Sequence, residues 1–491
     1  MTTKLIKNGY ILDPILPFKK SDILIEDGLI KQITPEIKSR TNTTIDASDK
    51  IVMPGLISAH SHASTVLFRG LTDNLPGDPW LFYHMWAGMG KLNFRDLYIA
   101  SAIGAIELLK SGTTSLLEHG HVMGSIDGFD KRVEAIADGL LDTGIRAVFS
   151  PMYADIPFSK RIPLNLVGDV SPEIKAMLDP FPPLRAEDIM QALRNLVKRW
   201  PARDTRVSLC LGPSTPIGCS PELMAGTFEL AAKHDLTIHS HLLETKPNRV
   251  FWPSIVDFLA ANNYLGPRVS FAHGVWLDNK DIKTLAETKS SVVHNPISNL
   301  KLGSGIAHVQ LMKERGLNVA LGVDNAGGAN DSQNMFEVMK YTALLHKLYG
   351  PARKWLGAED AFNMCLTGGA KVLRKKIGAF KPGYLADLVI IETKKLFVES
   401  KENLINQLVY TDLGCSSVET VLVGGEIVVE DGKIRGVNED ELYTEAKENA
   451  KKLQADIPAL KKRLVPTLDI LFKMGKAVTD FELPFTRLTS M

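Results

Sequence analysis

Eight short apolar runs alternate with longer amphipathic stretches along the middle of this 491-residue chain. A stretch such as RDLYIASAIGAIELLKSG has the 3.6-residue period of an amphipathic helix, and Gly112 is placed to end it. Eight strands separated by helices favour an α/β fold, and the count fits a closed (β/α)8 barrel of the TIM type better than an open sheet. The runs predict strands near Ile51–Ala59, Thr113–Glu118, Ile145–Met152, Arg206–Leu211, Leu236–His241, Val269–Ala272, Ser291–His294 and Val319–Val323.

The two ends of the chain carry similar hairpin patterns. DILIEDGLIKQI (22–33) and GEIVVEDGKIRG (425–436) both alternate apolar and polar residues around an Asp-Gly pair. Asp-Gly between alternating strands is a strong hairpin signal, because glycine tolerates the positive φ of a tight turn. ADLVIIETK (386–394) is also strand-like. We expect one small β domain from residues 1–54 and 381–436, a barrel over 55–380 and a helical extension over 437–491.

Charge and cysteine content narrow the function classes. The chain has 57 basic and 56 acidic residues, so a net charge of +1 gives no electrostatic case for nucleic acid or an anionic membrane surface. No apolar stretch is long enough to span a bilayer, and the first residues lack the apolar segment of a signal peptide. The four cysteines are scattered without a CxxC pair, which is typical of reduced thiols. We expect a cytoplasmic protein that acts on a small molecule.

Two histidines end the first predicted barrel strand, in PGLISAHSHAS. His60 and His62 are one residue apart, and alternate residues of a strand share a face. Active sites of these barrels lie at the C-terminal ends of the strands. Two imidazoles there can chelate one divalent ion, although an isolated HxH pair more often has a structural role.

Three further segments place polar side chains at the ends of other predicted strands. TIHSHLLET contains His239, His241 and Glu244; SFAHGVWLD ends its strand at His273; and LGVDNAGG ends its strand at Asp324. A catalytic zinc site takes a few nitrogen and oxygen ligands and keeps one position open for water. Buried ionisable groups without partners are costly, so core packing explains this set poorly. A metal site is the better interpretation.

These segments resemble the amidohydrolase superfamily, in the branch of metal-dependent aminohydrolases that includes methylthioadenosine/S-adenosylhomocysteine deaminases and triazine hydrolases. The resemblance runs in the family's order through nearly the whole chain. It implies a distorted (β/α)8 barrel with a terminal β-sandwich, and a homodimer or a larger homo-oligomer. The matching stretches are PGLISAHSHAS, HSHLLET, FAHGVWLD, HNPISNLKLGSG, LGVDNAGGANDSQNMFEVMK and IGAFKPGYLADLVII.

The same resemblance implies a role for each site residue. Glu244 would shuttle protons, His273 would polarise the bond under attack, and Asp324 would take a proton from the attacking water. One divalent metal is expected, because the fourth strand, RVSLCLGPS, lacks the lysine of two-metal members. Zinc is favoured, with Fe²⁺, Mn²⁺ or Co²⁺ as alternatives, and such an ion lowers the pKa of water from ~15.7 to ~7. The implied metal ligands are His60, His62, His241 and Asp324.

Four other histidines compete for roles at this site. His239 lies two residues before His241, so we expect it to face the barrel interior below the metal. His119 and His121, in EHGH at the end of the second strand, have no place in the implied ligand set and favour pocket-lining or hydrogen-bonding roles. His294 is expected at the substrate pocket.

Two departures from the family pattern bear on the substrate. Adenosine-type deaminases carry a WL…IWP.E stretch whose glutamate binds ribose hydroxyls, and this chain has Met89 at that position. Their GPHSPY element reads GPSTPI here, with Ser214 in place of histidine. Both departures argue against a nucleoside and favour a flatter heteroaromatic ring such as a purine base, a pterin or a triazine. The residues expected to bind substrate are Trp86, Met89, Ser214, His294 and Asn325.

Three function classes follow from these observations. Hydrolytic deamination of an amino-substituted heteroaromatic ring is the favoured one. Hydrolysis of another C–N or C–Cl bond, in an amide, a carbamate or a halo- or alkylamino-triazine, would use the same residues. A non-catalytic scaffold on this fold would have lost its ligands, whereas this chain keeps His60, His62, His241, Glu244, His273 and Asp324.

Overall fold

The computed structural model describes residues 2–122, 126–182, 184–202, 206–485 and 487. The N-terminal segment forms a strand-rich unit in which Lys20–Glu26 and Leu29–Thr34 are a hairpin. Its turn is the predicted Asp27-Gly28 pair, and φ is 47° at Asp27 and 78° at Gly28, as a two-residue hairpin loop requires. The five strands are β1 (Thr3–Ile11), β2 (Lys20–Glu26), β3 (Leu29–Thr34), β4 (Thr43–Asp46) and β5 (Lys50–Pro54).

The next strands are all parallel and form the predicted (β/α)8 barrel. From Leu56–His62 to Asn318–Leu321, each strand pairs with its neighbour in chain order. The last strand, Asp324–Asn325, pairs with the first, Leu56–His62, which closes the ring. The eighth expected strand is therefore divided, because one part pairs with β12 and the other with β6. The strands are β6 (Leu56–His62), β7 (Thr113–His121), β8 (Arg146–Tyr153), β9 (Val207–Pro213), β10 (Thr237–Leu242), β11 (Val269–His273), β12 (Ser291–His294), β13 (Asn318–Leu321) and β14 (Asp324–Asn325).

After the barrel the chain returns to the N-terminal strands. β15 pairs antiparallel with β5, so both termini build one nine-stranded sheet, the predicted small β-sandwich domain. A buried ion pair joins this domain to the barrel, with Arg146 Nε 2.6 Å from Asp387 Oδ2. The added strands are β15 (Leu388–Glu392), β16 (Val418–Val423), β17 (Glu426–Glu430) and β18 (Lys433–Ile434).

Helices surround the barrel and cover one side of its opening. The helix Glu439–Gln454 packs against Phe94–Lys110. The last helix, Ile457–Thr479, packs against Gly77–His84 and Pro172–Leu178. None of the helices in the described ranges is both long enough and apolar enough to cross a bilayer. The helices are α1 (Gly77–His84), α2 (Phe94–Lys110), α3 (Phe129–Asp142), α4 (Pro172–Leu178), α5 (Ala186–Arg199), α6 (Pro221–His234), α7 (Lys246–Phe251), α8 (Ile255–Ala261), α9 (Asn279–Glu287), α10 (Pro296–Lys301), α11 (Val309–Glu314), α12 (Met335–Leu345), α13 (Ala358–Asn363), α14 (Gly369–Leu373), α15 (Lys401–Tyr410), α16 (Leu413–Ser416), α17 (Glu439–Gln454) and α18 (Ile457–Thr479).

Apolar side chains change to polar ones along the barrel strands. Leu117 and Val148 belong to a buried cluster that packs against α14. Two residues further along the same strands lie His119 and Ser150, whose Nδ1 and Oγ atoms are 3.0 Å apart. The C-terminal ends of the strands therefore carry a buried polar layer above an apolar base.

Candidate metal centre

The predicted ligands meet at the C-terminal ends of their strands. His60 and His62 end β6, His241 lies near the end of β10, and Asp324 begins β14 beside them. His273 ends β11, and both His273 (φ 73°) and Asp324 (φ 65°) have left-handed backbone conformations. Such strain in residues other than glycine persists only where the surrounding structure imposes it, and it is common at functional sites.

The donor atoms have the spacing of ligands around one ion. His62 Nε2 is 3.2 Å from His241 Nε2 and 3.6 Å from Asp324 Oδ1, and His60 Nε2 is 3.2 Å from the same Oδ1. Ligands about 2.0–2.1 Å from a tetrahedral zinc ion lie about 3.3 Å from one another. The donors within 4.8 Å of one another form two groups that share His60, one with His62 and His241 and the other with His273 and Asp324.

Backbone carbonyls fix the tautomers of two of these histidines. His62 Nδ1 lies 2.5 Å from the carbonyl oxygen of His119, and His241 Nδ1 lies 2.7 Å from that of Ser214. A carbonyl only accepts, so Nδ1 donates the proton and Nε2 keeps a lone pair for a metal. Both rings are held in the state that metal binding needs.

His60 is held by another histidine. Its Nδ1 is 2.8 Å from His239 Nε2, and His239 Nδ1 is 2.8 Å from Ser270 Oγ. His60 Nε2 is buried and has no hydrogen-bond partner in the described part of the chain. The structure thus places His241, and not His239, among the donors. The His60 Nε2 atom, which has no hydrogen-bond partner, belongs to the same group.

Burial sets the charge of the cluster. It lowers the pKa of His60 and His62 well below the usual histidine value, and that of His241 to about 4. Burial alone would raise the pKa of Asp324, but His273 and His62 pull it below the ordinary aspartate value. At neutral pH the imidazoles are neutral and the carboxylate is ionised, the protonation state of metal ligands.

Glu244 and His273 lie beside the donor set. His273 Nε2 is 3.6 Å from Glu244 Oε2 and 3.9 Å from Asp324 Oδ2. His273 Nδ1 is 2.9 Å from Asn299 Oδ1, which keeps Nε2 turned toward the two carboxylates. Burial raises the pKa of Glu244, so its protonated form is available closer to neutrality. This pair can move protons beside the donor set.

Residues of the EHGH segment contact the candidate metal ligands and the turn after β6. His119 supplies the carbonyl that fixes His62, and its Nδ1 bonds to Ser150. His121 lines the cavity, with its ring centroid 4.5 Å from that of His62. Glu118, which the sequence analysis assigned no role, accepts the Ala63 amide at 2.8 Å and so fixes the turn that follows β6.

A cavity of about 200 Å³ opens above these residues. Ser214 and Asn325, two of the residues expected to bind substrate, line it together with Glu244, His273 and Asp324. The remaining wall is mostly apolar and includes Trp80, Leu81, Met85, Met152, Phe158, Phe181 and Leu302.

The other three residues expected to bind substrate do not line this cavity. A π-helical turn over Met85–Met89, with φ 152° at Gly88, directs Trp86 away, and its Nε1 donates to the Met177 carbonyl at 2.8 Å. Met89 is buried in the same turn. His294 is also buried, with its Nε2 3.3 Å from His346 Nε2.

Known proteins are similar to this chain in sequence and in fold. The sequence profile described as the amidohydrolase family matches residues 51–428. The 5′-deoxyadenosine deaminase of Methanosarcina mazei is 34% identical over 466 residues, which are 93% of this chain and 100% of that protein. The 5-methylthioadenosine/S-adenosylhomocysteine deaminase of Thermococcus onnurineus is 34% identical over 437 residues, 88% and 95% of the two chains. The crystal structure of an adenosine deaminase from Xanthomonas campestris with bound zinc has a TM-score of 0.79 at 22% identity, covering 92% of this chain and 99% of that one.

Proposed function

The chain belongs to the amidohydrolase family, and on that premise we propose that it is a metal-dependent aminohydrolase that removes an amino group from a heteroaromatic ring. The observation that carries the proposal is the convergence of imidazole nitrogens and the Asp324 carboxylate in two donor groups that share His60, beside Glu244 at the base of a largely apolar cavity. The reaction adds water across a ring carbon–nitrogen bond and releases ammonia.

We propose zinc as the ion, held by His60, His62, His241 and Asp324. Imidazole nitrogens and a carboxylate oxygen suit zinc, and the Xanthomonas deaminase structure contains bound zinc. Fe²⁺, Mn²⁺ or Co²⁺ could use the same donors. When bound, such a cation acts as a Lewis acid and lowers the pKa of a coordinated water toward neutrality.

The chain's own side chains would carry the protons. Asp324, ionised at neutral pH, accepts a proton from the attacking water. Glu244, whose pKa burial raises, donates its proton to the ring nitrogen as the oxygen adds. As the ring carbonyl forms, Glu244 regains a proton from the added hydroxyl, and Asp324 passes the proton that it took from the water to the amine, which leaves as ammonia. His273 directs its Nε2 between these carboxylates and can hold the incoming oxygen.

Adenine nucleosides belong in the proposed substrate class. Two relatives that are 34% identical to this chain are named for nucleoside substrates. Met89, which argued against a nucleoside, lies outside the cavity, so its identity does not decide what the cavity binds. Ser214, the other departure from the family pattern, does line the cavity. Flatter heteroaromatic rings therefore remain in the proposed substrate class as well.

The test is ammonia release by zinc-loaded protein from adenine nucleosides, purine bases, pterins and triazines. We expect release from at least one ring class, and Glu244→Gln should abolish most of it while zinc stays bound. Ammonia from none of these compounds, with zinc bound, would contradict deamination and favour another C–N or C–Cl bond. The expected homo-oligomer is checked on the same sample by light scattering.

A further inference from the structure

Asp78 is a buried carboxyl group on the cavity wall that the proposed chemistry does not use. It is the second residue of α1, its exposed fraction is 8%, and it lines the same cavity as Glu244. The start of α1 lies against the turn after β10, since a Cβ on Gly77 would come 2.8 Å from Thr245 Cγ2. This packing places Asp78 on the cavity wall next to the turn that carries Glu244 and Thr245.

The Asp78 carboxyl lacks a protein partner. Within the described residues no donor binds it, and burial together with the charge of Glu244 raises its pKa to about 7. Two other aspartates of the cavity differ in this respect. Asp155 accepts the Ser220 amide at 2.7 Å, and Asp179 accepts the Ser159 amide at 2.9 Å and its hydroxyl at 2.6 Å. A buried carboxyl without a donor is costly, so a ligand is the natural source of one.

The chemistry of the carboxylate narrows what it can bind. An ionised carboxylate only accepts hydrogen bonds, so its partner on the ligand must be a donor. 5′-Deoxyadenosine, the compound for which one relative is named, has donors only on its amino group and on its 2′- and 3′-hydroxyls. In the proposed function the amino group is the leaving group at the metal centre, which leaves the two hydroxyls.

We propose that Asp78 is a specificity-determining residue whose carboxylate accepts hydrogen bonds from the sugar hydroxyls of an adenine nucleoside. This rests on the proposed function and deepens it, because it names the sugar as well as the ring. Trp80, Leu81 and Met85 form a largely apolar wall next to Asp78, and the Thr245 hydroxyl is a second polar group of the cavity near it.

The experiment compares 5′-deoxyadenosine with its analogue that lacks the 2′- and 3′-hydroxyls, in the wild type and in Asp78→Ala and Asp78→Asn. A hydrogen bond to a charged group corresponds to a loss of about 10- to 100-fold when one partner is removed. We expect kcat/KM for 5′-deoxyadenosine to fall by that factor in Asp78→Ala, mainly through KM, and by less in Asp78→Asn. For the analogue the variants should match the wild type, because the partner is already missing.

Asp155→Asn is the matched control, since that aspartate shares the cavity but has a protein donor. It should change both substrates by the same factor. Equal losses on both substrates in the Asp78 variants, or no loss, would overturn the proposal. If those variants fail to fold, the wild type still decides, because equal kcat/KM on the two substrates would also overturn it. Ammonia from other rings but not from nucleosides would refute the role of Asp78 alone, and ammonia from no ring would refute the proposed function.

Discussion

Replacing His241 with alanine should remove one nitrogen donor from the metal centre. Its Nε2 is 3.2 Å from His62 Nε2, and its Nδ1 is bound to the Ser214 carbonyl. His239→Ala is the matched comparison, because His239 lies two residues earlier on the same strand. Its ring is 2.8 Å from His60 Nδ1, so it reaches the centre only through His60.

The expected magnitudes follow from these positions. Four-ligand zinc sites bind with about 10–16 kcal/mol, so one ligand accounts for about 2.5–4 kcal/mol, or roughly two to three decades in affinity. Loss of a group that only orients a ligand costs about 10- to 100-fold. We expect His241→Ala to weaken zinc binding by about 100- to 1000-fold and His239→Ala by less.

The assay is the zinc content of each purified variant after equilibration with increasing concentrations of a chelator. His241→Ala should lose its zinc at lower chelator concentrations than His239→Ala, and both before the wild type. Circular dichroism of the two variants establishes that they fold alike. If His241→Ala keeps one zinc per chain where His239→Ala has lost it, His239 is the ligand and the assigned donor set is wrong.

Three further predictions concern catalysis, stability and pH. Glu244→Gln should lower kcat by about 10²- to 10⁴-fold with zinc still bound, because a proton carrier is lost; a near-wild-type kcat would remove Glu244 from that role. Arg146→Met should cost about 3–5 kcal/mol of unfolding free energy in urea, because Asp387 is left as an unpaired buried charge; an unchanged midpoint would refute this. KM for 5′-deoxyadenosine should fall from pH 6 to pH 8, because the pKa of Asp78 is about 7 and only its ionised form accepts both hydroxyls; Asp78→Asn should lose this trend.

The barrel strands and their polar ends could be read from local pattern. Each strand is an apolar run, and the positions of His60, His62 and His241 at strand ends predict that these side chains lie at the site. The division of the eighth strand could not be read in this way. Asp324 pairs with β6 and not with β12, and the closure of the ring decides that.

Contacts between distant segments account for the rest. Trp86 and Met89 follow cavity-lining residues in sequence, but the turn over Met85–Met89 directs Trp86 into packing with other helices and buries Met89. Asp78 has no motif around it, and its position depends on α1 packing against the turn after β10. Glu118 was overlooked because its partner, the Ala63 amide, belongs to another strand's end.

In the proposed function, a metal ion held by His60, His62, His241 and Asp324 makes the chain a deaminase. The most direct measurement is the rate of ammonia release as metal-free protein is titrated with zinc, using the ring compound that reacts best. We expect a rate that rises in proportion to added zinc and stops rising at one equivalent per chain. Ammonia release that is independent of zinc, or zinc binding without any ammonia, would contradict it.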